Sequence, residues 1–328
     1  MPSAALNLVA GVFVIALSWF EDSRSIRPST FLSTYFLLTI LLDLPQARTL
    51  WLRSNSASVA ALCSVNIGIK LALLSLESRN KRRYIITIET WKHPPESVSG
   101  IINRSLMWWL NQLFQYGYKA LITPDALYAL DEDLTADNLH RRVKAAWEQR
   151  RAPERRFEYL LTVSRIMWWP FLQAAVPRFF LIGFTFAQPF LITSAVSLLD
   201  TNRDDKTTDQ SAYGLIGATA LIYTGIAVSK LLSAHKLYRT VTMFRGATVS
   251  LIYSRALKIQ DGLYDESASI TLMSTDTERV SLAIYHLNEV WARSIEVGIA
   301  IFLLARQLGW VAVIPLVLVI CKSDKSAP

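Results

Sequence analysis

What this 328-residue sequence lacks narrows its function before anything else is read. It has 2 cysteines, Cys63 inside an apolar run and Cys321 at the edge of another, so neither a disulfide framework nor a thiolate metal site is implied. It has 4 histidines, His93, His140, His235 and His286, scattered and in no H-E-x-x-H or other clustered pattern, and they read as surface or interface residues. None of its 12 glycines is followed by lysine, so the G-x-x-x-x-G-K-[ST] loop, whose backbone amides and lysine hold nucleotide phosphates, is absent. No tandem repeat and no low-complexity tract interrupts it. Charged residues make up only 18% of the whole. That is low for a soluble protein of two or three domains, the reading length alone would favour.

Apolar residues make up 52% of the chain, the mean hydropathy is +0.28, and the apolar residues come in long runs divided by charged segments. That is the membrane pattern. About 20 helical residues cross about 30 Å of hydrocarbon, and the runs at residues 4–20, 31–44, 57–76, 167–199, 213–233, 282–304 and 311–321 are candidates. The second and the last are short for a full crossing. The first is expected to be a membrane helix rather than a signal peptide, because Met1-Pro2-Ser3 carries no positive side chain ahead of it and Glu21 and Asp22 follow directly. The expectation is an all-α membrane protein with about seven transmembrane helices, three before and four after a charged linker at residues 77–165.

Lys and Arg accumulate in cytosolic loops. Arg79, Lys81, Arg82 and Arg83 therefore put the end of the third run inside, and Arg24 and Arg27 fall inside with them. The N-terminus is expected on the non-cytosolic side. Asp200, Asp204, Asp205 and Asp209 sit in an outside loop. Lys236, Arg239, Arg245, Arg255, Lys258, Lys322 and Lys325 come out cytosolic. Arg48 and Arg53 run against this scheme. The net charge of +8 fits contact with anionic lipid better than with nucleic acid, so the lipid bilayer is the expected partner.

The linker carries its own patterns. Residues 103–118, N-R-S-L-M-W-W-L-N-Q-L-F-Q-Y-G-Y, have the length and the tryptophans of a helix lying in the membrane interface, with Trp108 and Trp109 as anchors. Thr123-Pro124-Asp125 is a turn or a helix start. Residues 137–151 alternate charged and apolar side chains and read as a solvated helix ended by Pro153. The sequon Asn103-Arg104-Ser105 falls in the cytosolic linker and is expected to be unused.

Several motifs in order point to one family. They are L-L-D-L-P-Q-A-R-T-L-W (41–51), S-V-S-G-I-I-N-R (97–104), Trp108-Trp109-Leu110-Asn111, Gly117-Tyr118, Leu121-Ile122-Thr123, Asp125-Ala126-Leu127-Tyr128, Gln188-Pro189-Phe190-Leu191, L-Y-R-T-V-T-M-F-R-G-A-T-V-S-L-I-Y-S-R-A-L-K-I-Q (237–260), L-M-S-T-D-T-E-R-V (272–280) and L-N-E-V-W-A (287–292). Together they resemble fungal ABC exporters of the C, or multidrug-resistance-associated, subfamily. The resemblance implies a partial accessory membrane domain at 1–76, the family's lasso linker at 77–165, part of a type I (type IV) exporter transmembrane domain at 166–321 and a cytosolic tail at 322–328. It implies a multi-pass protein of the plasma or vacuolar membrane. In the family, ATP drives the export of organic anions, conjugates, drugs and metabolites.

The resemblance also implies departures. Three accessory helices stand where the family has five, and about four core helices stand where it has six. The tail 322–328 looks unrelated to the family, as an early stop or a misread intron would leave it. The nucleotide-binding domains would lie on another polypeptide, so this chain alone would bind no ATP or Mg and catalyse nothing. Alternatively the chain is a regulatory module docking on an intact ABC transporter, or an inactive truncated gene product.

Particular residues carry more than one reading. By resemblance, Asp261 and Asp265 belong to a coupling turn and Asp276 and Glu278 transmit nucleotide state through it. By their chemistry, Asp276, Glu278 and Arg279 are also a charged helix start capped by Ser274 or Thr275. Gln188, beside the kinking Pro189, either lines a substrate cavity or merely bends a helix. Arg178 is either a functional intramembrane charge or a wet residue beyond the lipid. Lys70 is close enough to its helix end to snorkel. Arg293 and Glu296 share one helix face and either pair with each other or line a polar cavity beside Trp291. Arg293 stands where fungal relatives tend to have a small residue, which weakens any inherited substrate specificity.

Overall fold

A computed structural model of the chain describes residues 2–24, 28–53, 57–78, 94–149, 158–200, 206–258 and 266–309. Among them no strand occurs, and the backbone divides into two compact units, Met1–Glu132 and Asp133–Pro328. The seventh apolar run, the tail 322–328, the basic cluster at 79–83, and Asp261 and Asp265 lie outside the described residues.

The first unit begins with three long helices, α1 (Pro2–Arg24), α2 (Thr30–Leu52) and α3 (Ala57–Glu77). α2 and α3 form an antiparallel hairpin around Leu32, Phe36, Ile40, Ala47 and Ile67, with Val14 and Leu17 of α1 against it. The N-terminus of α2 is capped twice. The Ser29 hydroxyl accepts from the Leu32 N–H at 3.0 Å, and a Glu77 carboxylate oxygen accepts from the Ser29 N–H at 3.0 Å. α2 runs well past residue 44, where the apolar run stops. Two features had hidden this, Asp43 and Pro45. The helix carries Pro45 in its interior, and Asp43 is neutralised by Lys70 of α3 at 2.7 Å. Lys70 reaches across to the neighbouring helix, because a paired charge in an apolar setting costs less than an unpaired one.

The linker segment is broken where one interfacial helix was expected. It forms α4 (Pro95–Val98), α5 (Ile101–Ser105), a 3₁₀ turn at Trp108–Leu110 and α6 (Asn111–Lys119). The break is at Met107, whose φ of 51° is left-handed and stops a right-handed helix. Trp109 turns inward against Tyr128, with ring centroids 6.0 Å apart, while Trp108 is 67% exposed. Phe114, Tyr118 and Leu121 are also exposed. A 3₁₀ turn at Pro124–Ala126 meets the turn expected there.

The second unit holds α7 (Ala136–Glu148), α8 (Glu158–Asp200), α9 (Lys206–Ala256), α10 (Glu266–Thr271) and α11 (Thr277–Leu308). α7 is not simply solvated. Leu139 and Val143, four apart on one face, are buried with Val163 and Met167 of α8 and Met243, Phe244, Ala247 and Leu251 of α9. Its charged residues keep the other face. α8 and α9 cross closely at Gly225, where a Cβ would meet the Phe184 ring at 2.6 Å. At 1.5 Å per residue α9 is a rod of about 75 Å, far longer than a bilayer core. α11 ends at Gly309, whose φ of 60° suits a glycine and whose N–H donates to the Ala305 carbonyl.

Among the described residues, four helices are long and apolar enough to cross a membrane: Thr30–Leu52, Ala57–Glu77, Glu158–Leu199 and Ser211–Ala256. Leu42, Leu62 and Phe190 on them are exposed, as lipid-facing side chains are. The chain is an all-α, multi-pass membrane protein.

Candidate functional site

The charged residues foreseen on the sixth apolar run belong to a larger cluster. Glu289, Arg293 and Glu296 recur at i, i+4 and i+7, which puts them on one face of α11. An Arg293 N–H donates to Glu296 at 3.2 Å, and Arg293 lies 3.6 Å from Glu289. From α8, Arg178 donates to Glu289 at 2.9 Å and stands 3.4 Å from Glu296. Two guanidiniums and two carboxylates alternate, so the cluster is neutral overall. Arg178 is 8% exposed, which rules out the wet reading for it.

Local sequence explains how a guanidinium comes to lie there. Ala174 and Ala175, both buried, leave room on that face of α8. Pro170 and Pro177 lie inside the same helix, and Pro177 removes the helical bond to the Gln173 carbonyl one turn before Arg178. On α11, Asn288 and Ala292 are the buried contact face. The Trp291 indole N–H donates to Asn288 Oδ1 at 3.2 Å, and its ring lies 5.0 Å from that of Phe179. The cluster is thus flanked by an aromatic pair next to Arg178 in sequence on one side and next to Ala292 on the other.

Of the residues expected to line a path, Arg293 and Glu296 are together, whereas Trp291, two residues before Arg293, faces away from them and pairs with Asn288 and Phe179. Gln188 is not with them, lying about 15 Å further along α8 than Arg178. Glu289 was quoted in L-N-E-V-W-A without a role. Its i, i+4 spacing to Arg293 inside an apolar run was the available signal. A separate half-open cavity of about 1360 Å³ lies between the start of α8, the middle of α9 and the start of α11, lined by Leu161, Trp168, Phe171, Phe244, Ile284 and others. None of the cluster residues lines it.

The segment L-M-S-T-D-T-E-R-V has an unexpected backbone. Leu272–Asp276 is a π-helical turn continuous with α10 before it and α11 after it. No helix starts there, so Ser274 and Thr275 are not caps. The Ser274 hydroxyl instead donates to the Ile270 carbonyl at 2.7 Å. Glu278 accepts from Arg245 of α9 at 3.1 Å, and Asp276 is 3.9 Å from Arg279. Among the described residues no cluster of His, Cys, Asp and Glu could hold a metal ion.

Comparison with known proteins gives one consistent answer. The chain is 38% identical over 320 residues to ABC multidrug transporter B of Aspergillus fumigatus, a match covering 95% of this chain and 22% of that protein. It is 36% identical over 317 residues to ABC multidrug transporter lscH of Purpureocillium lilacinum, covering 94% of this chain and 20% of the relative. Its homologues are fungal ABC transporters. A third, ABC transporter atnG of Emericella nidulans, is 35% identical over 317 residues, or 96% of this chain and 20% of the relative. The chain spans about a fifth of the length of the curated relatives it matches. No protein-family model matches it.

Proposed function

We propose that this chain is the accessory-helix, lasso and leading transmembrane portion of an ATP-driven exporter of the C subfamily, in the plasma or vacuolar membrane with a non-cytosolic N-terminus. The similarity to ABC multidrug transporter B over 95% of the chain is the observation that supports it. In this reading the substrates are drugs, organic anions or secondary metabolites, and Trp291, Arg293 and Glu296, with Arg178 and Glu289, line their path. Gln188 contributes at a different depth. No glycine precedes a lysine, so these 328 residues do not fit a nucleotide cradle. ATP and Mg act through nucleotide-binding domains elsewhere, reached through 261–278, where Asp261, Asp265, Asp276 and Glu278 are the coupling residues.

A chimaera tests the reading. This chain replaces the matching fifth of ABC multidrug transporter B, and drug efflux is followed in a transporter-deficient strain. The chimaera is expected to export, and Arg293→Ala, at a largely exposed side chain, is expected to change its substrate range without lowering its amount in the membrane. A chimaera that reaches the membrane in normal amount but exports nothing overturns the proposal. The chain alone, in vesicles, is expected to show no ATP-dependent uptake.

A further inference from the structure

The π-helical turn at Leu272–Asp276 carries an inference of its own, independent of any transport function. A π turn holds one residue more than the α turn it replaces, and such turns are rare and concentrate where helices must change register. Here the extra residue is held by the side chain that follows it. The Thr277 hydroxyl donates to the Leu272 carbonyl at 2.6 Å, and the Thr277 N–H is shared between the carbonyls of Leu272 and Ser274. Thr277 is 2% exposed. Above it α11 is joined to α9 by the Arg245–Glu278 pair and to α8 by the Arg178 cluster. Ile270, Leu272, Ser274 and Thr275 are exposed.

We propose that Leu272–Asp276 is a movable register step, held in its π form by the Thr277 hydroxyl. When the turn becomes α-helical, α10 rotates about 100° and slides about 1.5 Å, the angle and rise of one residue. α11 and its charged cluster stay where they are. The step thus lets the segment leading into α11 move without pulling on the buried ion pairs.

Spin labels at Tyr253→Cys on α9 and Ile270→Cys on α10 read the step, in the full chain in nanodiscs with Cys63→Ser and Cys321→Ser. Both labelled positions are more than half exposed. Deleting Thr275 removes the extra residue and leaves an α turn over the same span, so it marks the distance of the present register. The unmodified turn is expected to match it. Thr277→Val, which loses the hydroxyl and keeps the shape, is expected to move the distribution away from that of the deletion, while Thr277→Ser leaves it in place. Identical distributions for Thr277→Val and Thr277→Ser overturn the proposal, whether or not the deletion folds.

Discussion

Removing Arg178 should cost far more than removing Arg293, although both contact the same two carboxylates. The Arg178 side chain is 10% exposed and its partners Glu289 and Glu296 are 30% and 18% exposed, so its loss leaves two poorly solvated carboxylates. Breaking a buried ion pair from one side costs roughly 3–5 kcal/mol. Arg293 is 70% exposed, in the range where a pair contributes about 0–1 kcal/mol. Arg178→Met should therefore lower the unfolding midpoint in detergent by roughly 6–20 °C, at about 2–4 °C per kcal/mol, and Arg293→Met by about 4 °C at most. Adding Glu289→Gln and Glu296→Gln to Arg178→Met should recover most of the loss, because the penalty lies in the stranded charges and not in the missing attraction. Scanning fluorimetry of the three variants beside the unmodified chain decides it. Equal shifts for the two arginine variants, or no recovery in the triple variant, would refute the reasoning.

Three other outcomes can be checked the same way. At the α2–α3 hairpin, Lys70→Met and Asp43→Asn should each destabilise, and their double mutant should fall short of additivity by about 1 kcal/mol; full additivity would mean the 2.7 Å pair contributes nothing. Leu139→Ala, at a side chain only 2% exposed, should cost about 2–5 kcal/mol, whereas a solvated α7 would show no change in the midpoint. Gly225→Ala, facing the Phe184 ring at 2.6 Å, should cost about 1–3 kcal/mol, while Gly214→Ala, with nothing near its added Cβ, should be neutral; indistinguishable midpoints would contradict the close crossing of α8 and α9.

Hydropathy located the spanning helices because lipid imposes it along the chain. The run at 57–76 became Ala57–Glu77 with almost no change. It gave their lengths less well. The run at 167–199 is only part of Glu158–Asp200, because Val163 and Ile166 extend the helix beyond the apolar run by packing on protein. The same limitation concealed α7, whose alternating charges mask a buried stripe. Pairing within one helix was readable, as for Arg293 and Glu296. Pairing across helices was not, since Arg178 and Glu289 are 111 residues apart and no local spacing joins them. Backbone exceptions left no clear trace either. Met107 and the turn at Leu272–Asp276 contain no glycine or proline to announce them.

The length of α9 has a mechanical consequence. Its apolar run ends near Ser233, yet the same helix continues unbroken to Ala256, projecting about 35 Å further. Such a helix is a lever arm. A tilt of about 5° at the bilayer boundary carries its far end about 3 Å sideways, for a rod of that length. Arg245, which holds Glu278, lies about half-way along the projecting part, so the two helices would be moved together by a push that never enters the lipid.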